Sequence, residues 1–589
     1  MKKKHYLYLV LVLILSVFSI YWFSDEPFQS KKHSTLLIKN GKIYTSNPKQ
    51  PWAEAMLIKD EKISFIGSSK EALKVSNNVS ETINLNGKLV LPGLIDSHTH
   101  PGLVALFADV NPIPEGSIKE KLEWLKSFNK ENPDLPYIIA GTWFWEDFDK
   151  NGPHKRDLDA IVNDKPVILV EDWGHSIWVN SKALEMMGVN KSTKDPVANL
   201  SFFYRDKNGE PTGWIKEFAA FPFLKKLLKI NKEDLEFVLE FFLNYLSSNG
   251  VTTLFDGGNF NFDNDVYEAL NKLDKEGKLH HTYEASYHVF LPEHINIAID
   301  ELKKLKKKYQ SDNLNFNTIK IHFDGIKEIR TAAVSKVYND DLHNKGNILV
   351  AEDVLTNFIE ELHKEKIDLH VHTVGDFAIK TALNAYERAT EKFGKLNTKL
   401  TLSHLEIMDP KDIDRMKKLN VVANFTPHWH GDPAPFLDDV LGERNKHIMK
   451  AQPLIDNQTI VTFSSDITSP AEYNRSNPFL GMQVAHNRQD IEGGKTAPIM
   501  EPLSERLDLK DLIKGYTING AKQLKLQNKL GSLEKGKNAD FIILDHNIFN
   551  SDRYDIHNAK IKYTFKNGNR VFIRNFKANV NEKLIEWLY

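Results

Sequence analysis

The chain contains no cysteine among its 589 residues. That absence excludes disulfides, thiolate-held metals and cysteine nucleophiles together, and it is compatible with an oxidising compartment without establishing one. Neither sign of charge dominates: 77 basic and 79 acidic residues leave a net charge of −2. Apart from the start of the chain and helix faces such as LKKLKKKYQ (Leu302–Gln310), basic residues are not concentrated, so nothing argues for nucleic acid as a partner. What is present is a globular composition, 41% hydrophobic and 26% charged. The length is too great for one small core and suggests a large catalytic domain with an accessory one.

The N-terminus carries a long apolar run. Lys2, Lys3 and Lys4 precede Tyr6–Phe23, which is interrupted only by Ser16 and Ser19 and ends in the bulky IYWF. A secretory core segment is about 7–15 residues and finishes in small residues, whereas about 20 apolar residues span a bilayer. The leading lysines favour a cytoplasmic N-terminus. The expectation is an uncleaved signal-anchor, a transmembrane helix within residues 1–30 that leaves the rest extracytoplasmic. Secretion after signal cleavage is the alternative.

Short β-rich runs recur at both ends, STLLIKNGKIYTSN and AMLIKDEKISFIGS first, ADFIILDHN and KIKYTFKNGNRVF last. Either set alone makes a poor core, so residues 31–90 and 520–589 are expected to form one discontinuous β-sandwich. Between them, over 91–519, eight apolar strand-like runs begin at Gly93, Val251, His281, Thr318, Ile367, Lys399, Val421 and Thr459, several separated by amphipathic helical stretches. That alternation predicts an α/β fold, a (β/α)8 (TIM) barrel, with an insertion of about 103–230 after the first strand.

LPGLIDSHTH (Leu91–His100) poses the functional question. Five largely apolar residues lead into Asp96, His98 and His100, which alternate and so share a face of a strand. Lys320, His372, His404 and Asp466 fall at later strand ends, and in a barrel all carboxyl ends converge on one mouth. Nitrogen and oxygen donors without sulfur suit zinc, with manganese, iron and nickel as alternatives.

These stretches, together with DWGHSIWVNSKAL, PTGWIKE, IKIHFDG with RTAA, HVHTVGD, LSHLE, FSSD, YTINGA and LGSLEKGKNADFIILD, give a chain that resembles the amidohydrolase superfamily from about residue 35 to 575, in the branch of YtcJ-like and N-substituted formamide deformylase-like hydrolases. The resemblance implies a metal-bearing barrel with a small β-sandwich. It implies one ion on His98, His100 and Asp466, a second on His372 and His404, and a carbamylated Lys320 bridging them. An ordinary Lys320 paired with Asp324 is the alternative, and Glu217 is the other candidate bridge. Asp466 would then act as general acid–base in cleaving a non-peptide C–N bond, a linear N-substituted amide or formamide. A cyclic amide, a deamination, or a catalytically inactive extracytoplasmic binding protein are the competing readings.

Asp376 either orients His372 or caps the following helix. His175, Arg330, His428 and His430 are candidate substrate contacts. Trp143, Phe144, Trp145, Trp173 and Trp178 hint at an apolar or aromatic substrate group. FDGIKEIRTAA departs from the family pattern, which has small residues and serine before the arginine, so no particular substrate is carried over. A homo-oligomer is compatible with the resemblance.

Overall fold

The computed structural model describes residues 35–575, apart from 109, 150, 228 and 432–436. The expected anchor therefore lies outside the described residues. Among those described, no helix is long and apolar enough to cross a membrane.

Eight parallel strands make a nearly closed barrel: β1 (Leu94–Thr99), β2 (Val251–Asp256), β3 (Thr282–Val289), β4 (Leu314–His322), β5 (Asp368–Thr373), β6 (Leu400–His404), β7 (Val422–Phe425) and β8 (Ile460–Phe463). Each pairs with the next in chain order. Register sets His322 beside His372 across β4 and β5, and Thr373 beside His404 across β5 and β6. The first and last strands meet through Ser97 Oγ, which donates to Phe463 O at 2.8 Å. Just past β8, Asp466 N donates to His98 O (2.9 Å), and His100 N donates to Ile467 O (3.1 Å). Inside, the Asn424 amide donates to Ser97 Oγ and Thr462 Oγ1, and Gln523 Nε2 donates to Ser97 O at 2.7 Å.

Two-residue alternation divides each strand between two environments. Ile319, Ile321, Leu369 and Val371 join the main core with surrounding helices, while Lys320, His322, His370 and His372 take the other face. The helix Glu352–Glu365 shows the complementary period: Leu355, Phe358, Ile359 and Leu362 are all buried against the barrel. Each such side chain contributes about 1.5–3 kcal/mol.

Between β1 and β2 the chain builds a six-stranded mixed sheet running from Asn111–Pro112 to Pro211–Lys216. A further six-stranded sheet joins Lys42–Tyr44 and Leu89–Pro92 to Phe541–Leu544, Ile561–Lys566 and Asn569–Ile573, taking strands from both ends of the chain. A four-stranded sheet, with Thr35–Lys39 and Ala55–Lys59 at its centre, shares a core cluster with it that includes Ile38, Met56, Val90, Phe541 and Phe565.

Asp324, just past β4, fixes the loops over the mouth. It is fully buried and accepts from the backbone N–H groups of Val374 (3.0 Å), Gly375 (2.9 Å) and Ala333 (3.0 Å). These bonds occupy the carboxylate that would otherwise have been the partner of Lys320. Asp324→Asn presents an amide donor to amide donors and should destabilise the fold by about 1–3 kcal/mol, read as a lower urea midpoint at unchanged slope. An unchanged midpoint would show that these bonds contribute nothing.

Candidate metal centre

The carboxyl ends of β1, β4, β5, β6 and β8 deliver their polar residues to one cavity of about 730 Å³. His100 is held by its Nδ1, 3.0 Å from Gly258 O, which leaves Nε2 as the lone-pair nitrogen, 3.5 Å from Asp466 Oδ1. His98 Nε2 lies 3.5 Å from the same oxygen and 2.9 Å from Lys320 Nζ. His98, His100 and Asp466 can offer donor atoms within 4.8 Å of one another.

A second group lies beside it. His175, His322 and His372 also offer donors within 4.8 Å, with the rings of His322 and His372 only 3.9 Å apart. Both nitrogens of His372 and Nε2 of His322 are buried without a hydrogen-bond partner. Buried polar atoms normally find partners, so these converging, unsatisfied lone pairs fit a metal that accepts nitrogen and oxygen donors. His404 stands between the groups, with Nδ1 3.7 Å from Asp466 Oδ2 and its ring 4.3 Å from that of His372.

Burial sets the charge states. It holds His98, His322 and His372 well below the usual imidazole range and His404 at about 3, so they are neutral donors at pH 7. It also pushes Lys320 down to about 7. At His175 burial acts the same way, but the Glu217 carboxylate, 2.6 Å from Nδ1, outweighs it and raises the pKa. Backbone strain concentrates here too: Glu217 (φ 49°), His404 (φ 76°) and Asp466 (φ 49°) all occupy the left-handed region, at about 1–3 kcal/mol each.

Several sequence expectations change. The partners of His372 are His322 and His175 as well as His404. His322 is absent from the sequence expectations, in which IKIHFDG contributes its lysine; the K-x-H alternation on β4 repeats the H-x-H of β1 and is the signal that points to it. His370, two residues before His372, was also passed over, and its ring lies 4.7 Å from that of His98. Glu217 holds His175 and also accepts from Thr331 Oγ1 and Ile326 N, which favours an orienting role over a bridge. Asp376 neither orients His372 nor caps its helix. It is the first residue of Asp376–Phe393, follows the cap Gly375, and accepts from Ser335 N.

Arg330 is not among the residues lining the cavity. It binds Asp340 and the carbonyl of Glu328 and lies over the Trp145 ring. His428 does line the cavity, with Nε2 3.3 Å from Asn477 O, whereas His430 is fully buried away from it, against Phe425. Of Trp143, Phe144, Trp145, Trp173 and Trp178, the first and last are core and Trp173 alone lines the cavity, which Phe107, Phe218, Phe221, Phe260 and Trp429 also line.

Gly257, just past β2, lets both imidazoles of β1 approach. A Cβ there would come within 2.6 Å of His100 Cε1 and 2.7 Å of His98 Nε2. Gly257→Ala should therefore displace the donors and lower kcat/KM by about a hundredfold, while circular dichroism retains the folded spectrum. Full activity in that variant would show that the imidazole positions are not critical.

The family model described as the Amidohydrolase family matches residues 81–572. YtcJ of Bacillus subtilis (strain 168), named as an amidohydrolase, is 28% identical over 90% of this chain and 98% of its own length. The N-substituted formamide deformylase of Arthrobacter pascens is 23% identical over 90% of this chain and 97% of its own. A crystal structure titled as an uncharacterized metal-dependent hydrolase, from Pyrococcus horikoshii OT3, superposes with a TM-score of 0.67 at 25% identity, covering 88% of this chain and 99% of that one. With a family match across most of its length and a cavity that gathers neutral imidazoles around a carboxylate, the chain belongs to the Amidohydrolase family and is a metal-dependent hydrolase acting on carbon–nitrogen bonds.

Proposed function

We propose that the enzyme hydrolyses a linear N-substituted amide, a formamide being the simplest case. The observation that carries this reading is the convergence of two donor groups, His98–His100–Asp466 and His175–His322–His372, on one cavity. The first group and the second, with His404 between them, would each hold a divalent ion, zinc by the chemistry of the donors. When bound, such an ion supplies a water whose pKa falls to about 7 and polarises the scissile carbonyl. Lys320, pushed down to about 7, has a neutral amine fraction at pH 7, the form that combines with carbon dioxide. A carbamate there would add an anionic ligand beside His98.

Asp466 would accept the proton of the attacking water and return it to the departing amine. Glu217 fixes the His175 ring through Nδ1, and His428, on the cavity wall, would contact the substrate. The end-to-end likeness to a deformylase of N-substituted formamides supports a linear amide over a cyclic one. We further read the two terminal sheets as one composite β-sandwich serving the barrel. The three lysines before Tyr6–Phe23 support an anchored enzyme that works outside the cytoplasm.

Asp466→Asn should lower kcat by about a hundred- to ten-thousandfold, measured as formate released from N-benzylformamide by the zinc-loaded protein. Unchanged turnover would remove Asp466 from proton transfer. Release of product from cyclic amides with none from linear ones would overturn the substrate reading.

A further inference from the structure

The wall of the cavity is strongly acidic. Among the described residues its lining includes seven acidic side chains (Glu171, Asp172, Glu328, Glu406, Asp466, Glu472 and Asp490) and three basic ones. All three basic side chains are already engaged. Lys327 binds both Glu328 and Glu406. Arg475 binds Glu472 and lies over the Trp429 ring. Lys320 is bonded to His98 at 2.9 Å.

Glu171 has no such partner. It ends the strand Val167–Glu171, is 1% exposed and lines the cavity, and its carboxyl group has no side-chain partner among the described residues, with the backbone N–H of His175 against it. A buried carboxyl group without a charged partner is costly to ionise and, kept neutral, still lacks a side-chain hydrogen-bond partner. A leucine or glutamine would fill that strand end at less cost, so the carboxylate calls for a partner from outside the chain. Metal is not the natural candidate, because Glu171 belongs to neither donor group that converges tightly enough for an ion.

We propose that Glu171 receives a cationic group of the substrate, an ammonium or guanidinium set apart from the scissile bond, so that the enzyme selects basic N-substituted amides over neutral ones. This rests on the linear-amide reading given above and deepens it. Three residues separate Glu171 from His175, and the intervening turn is closed by Gly174 N donating to Glu171 O at 2.9 Å. The acid is therefore fixed relative to the donor groups. Trp173, on the same turn, also lines the cavity and offers an aromatic surface of the kind that accompanies bound cations. Burial, then Asp172, Glu146 and Glu328, raise the Glu171 pKa well above the carboxylate range, outweighing the backbone N–H of His175, which lowers it. A cation beside Glu171 would offset the repulsion of these carboxylates and favour the charged form.

The test compares matched probes: N-(ω-aminoalkyl)formamides with three to six methylenes, and N-alkylformamides of equal heavy-atom count. Binding to the zinc-loaded full-length enzyme is measured by calorimetry and turnover by formate release. The wild type should bind the best charged probe at least about tenfold more tightly than its neutral match, equivalent to about 1.4 kcal/mol. In Glu171→Gln that ratio should fall to near one. A merely structural role for Glu171 would weaken both probes alike and leave the ratio in place. Equal binding of the two probes by wild type, or a charge preference that survives Glu171→Gln, overturns the proposal. If neither probe releases formate, the linear-amide reading fails, while the binding ratio still decides the role of Glu171.

Discussion

A side chain on a β-strand can face only two ways, and the whole site depends on that constraint. Around a barrel of eight parallel strands, one set of alternate positions must satisfy the helical shell and the other must satisfy whatever lies inside. The chain answers with isoleucine, leucine and valine outward and histidine, lysine and aspartate inward at the carboxyl ends. His98 and His100, Lys320 and His322, and His370 and His372 repeat the same two-residue spacing at the ends of three strands, His100 lying one residue past β1. A one-residue slip would send the donors into the apolar core, so register and chemistry are fixed together.

The inward arrangement is costly on its own terms. Imidazoles at His322 and His372 are buried with nitrogens unpartnered, and Glu217, His404 and Asp466 hold strained backbone conformations. Much of the remaining scaffold reads as compensation. Asp324 ties the loops after β4 and β5 together through three backbone amides. Glu217 orients His175. Residues just past β8 bond back to β1 and bring Asp466 to His98 and His100. Strain and unsatisfied donors gathered at one point are the signature of a site whose stability is completed by what it binds.

The barrel and the first donor group were legible because both are local patterns: apolar runs alternating with helices, and histidines two apart at a strand end. His322 was equally legible by pattern and was lost to the lysine beside it. Other assignments depend on facts no single stretch contains. Arg330 looks like an anion-binding arginine until Asp340 is seen to hold it, and Asp376 looks like a cap until Gly375 is seen to precede the helix. His430 and His428 are two residues apart, yet one is core and the other wall, because a single turn of 3₁₀ helix, Pro427–Gly431, replaces the strand there. Glu171 was invisible in sequence, since an unpartnered carboxylate is a property of its tertiary surroundings.

Two donor groups, not one, share the mouth of the barrel. Elemental analysis of metal-replete full-length protein, wild type beside His98→Ala and His322→Ala, is the decisive measurement. Two occupied groups give about two equivalents of zinc or a similar metal in wild type and about one in each variant, as for two-metal hydrolytic sites. Metal content left unchanged by His322→Ala, or no bound metal in the wild type, would rule out a second site.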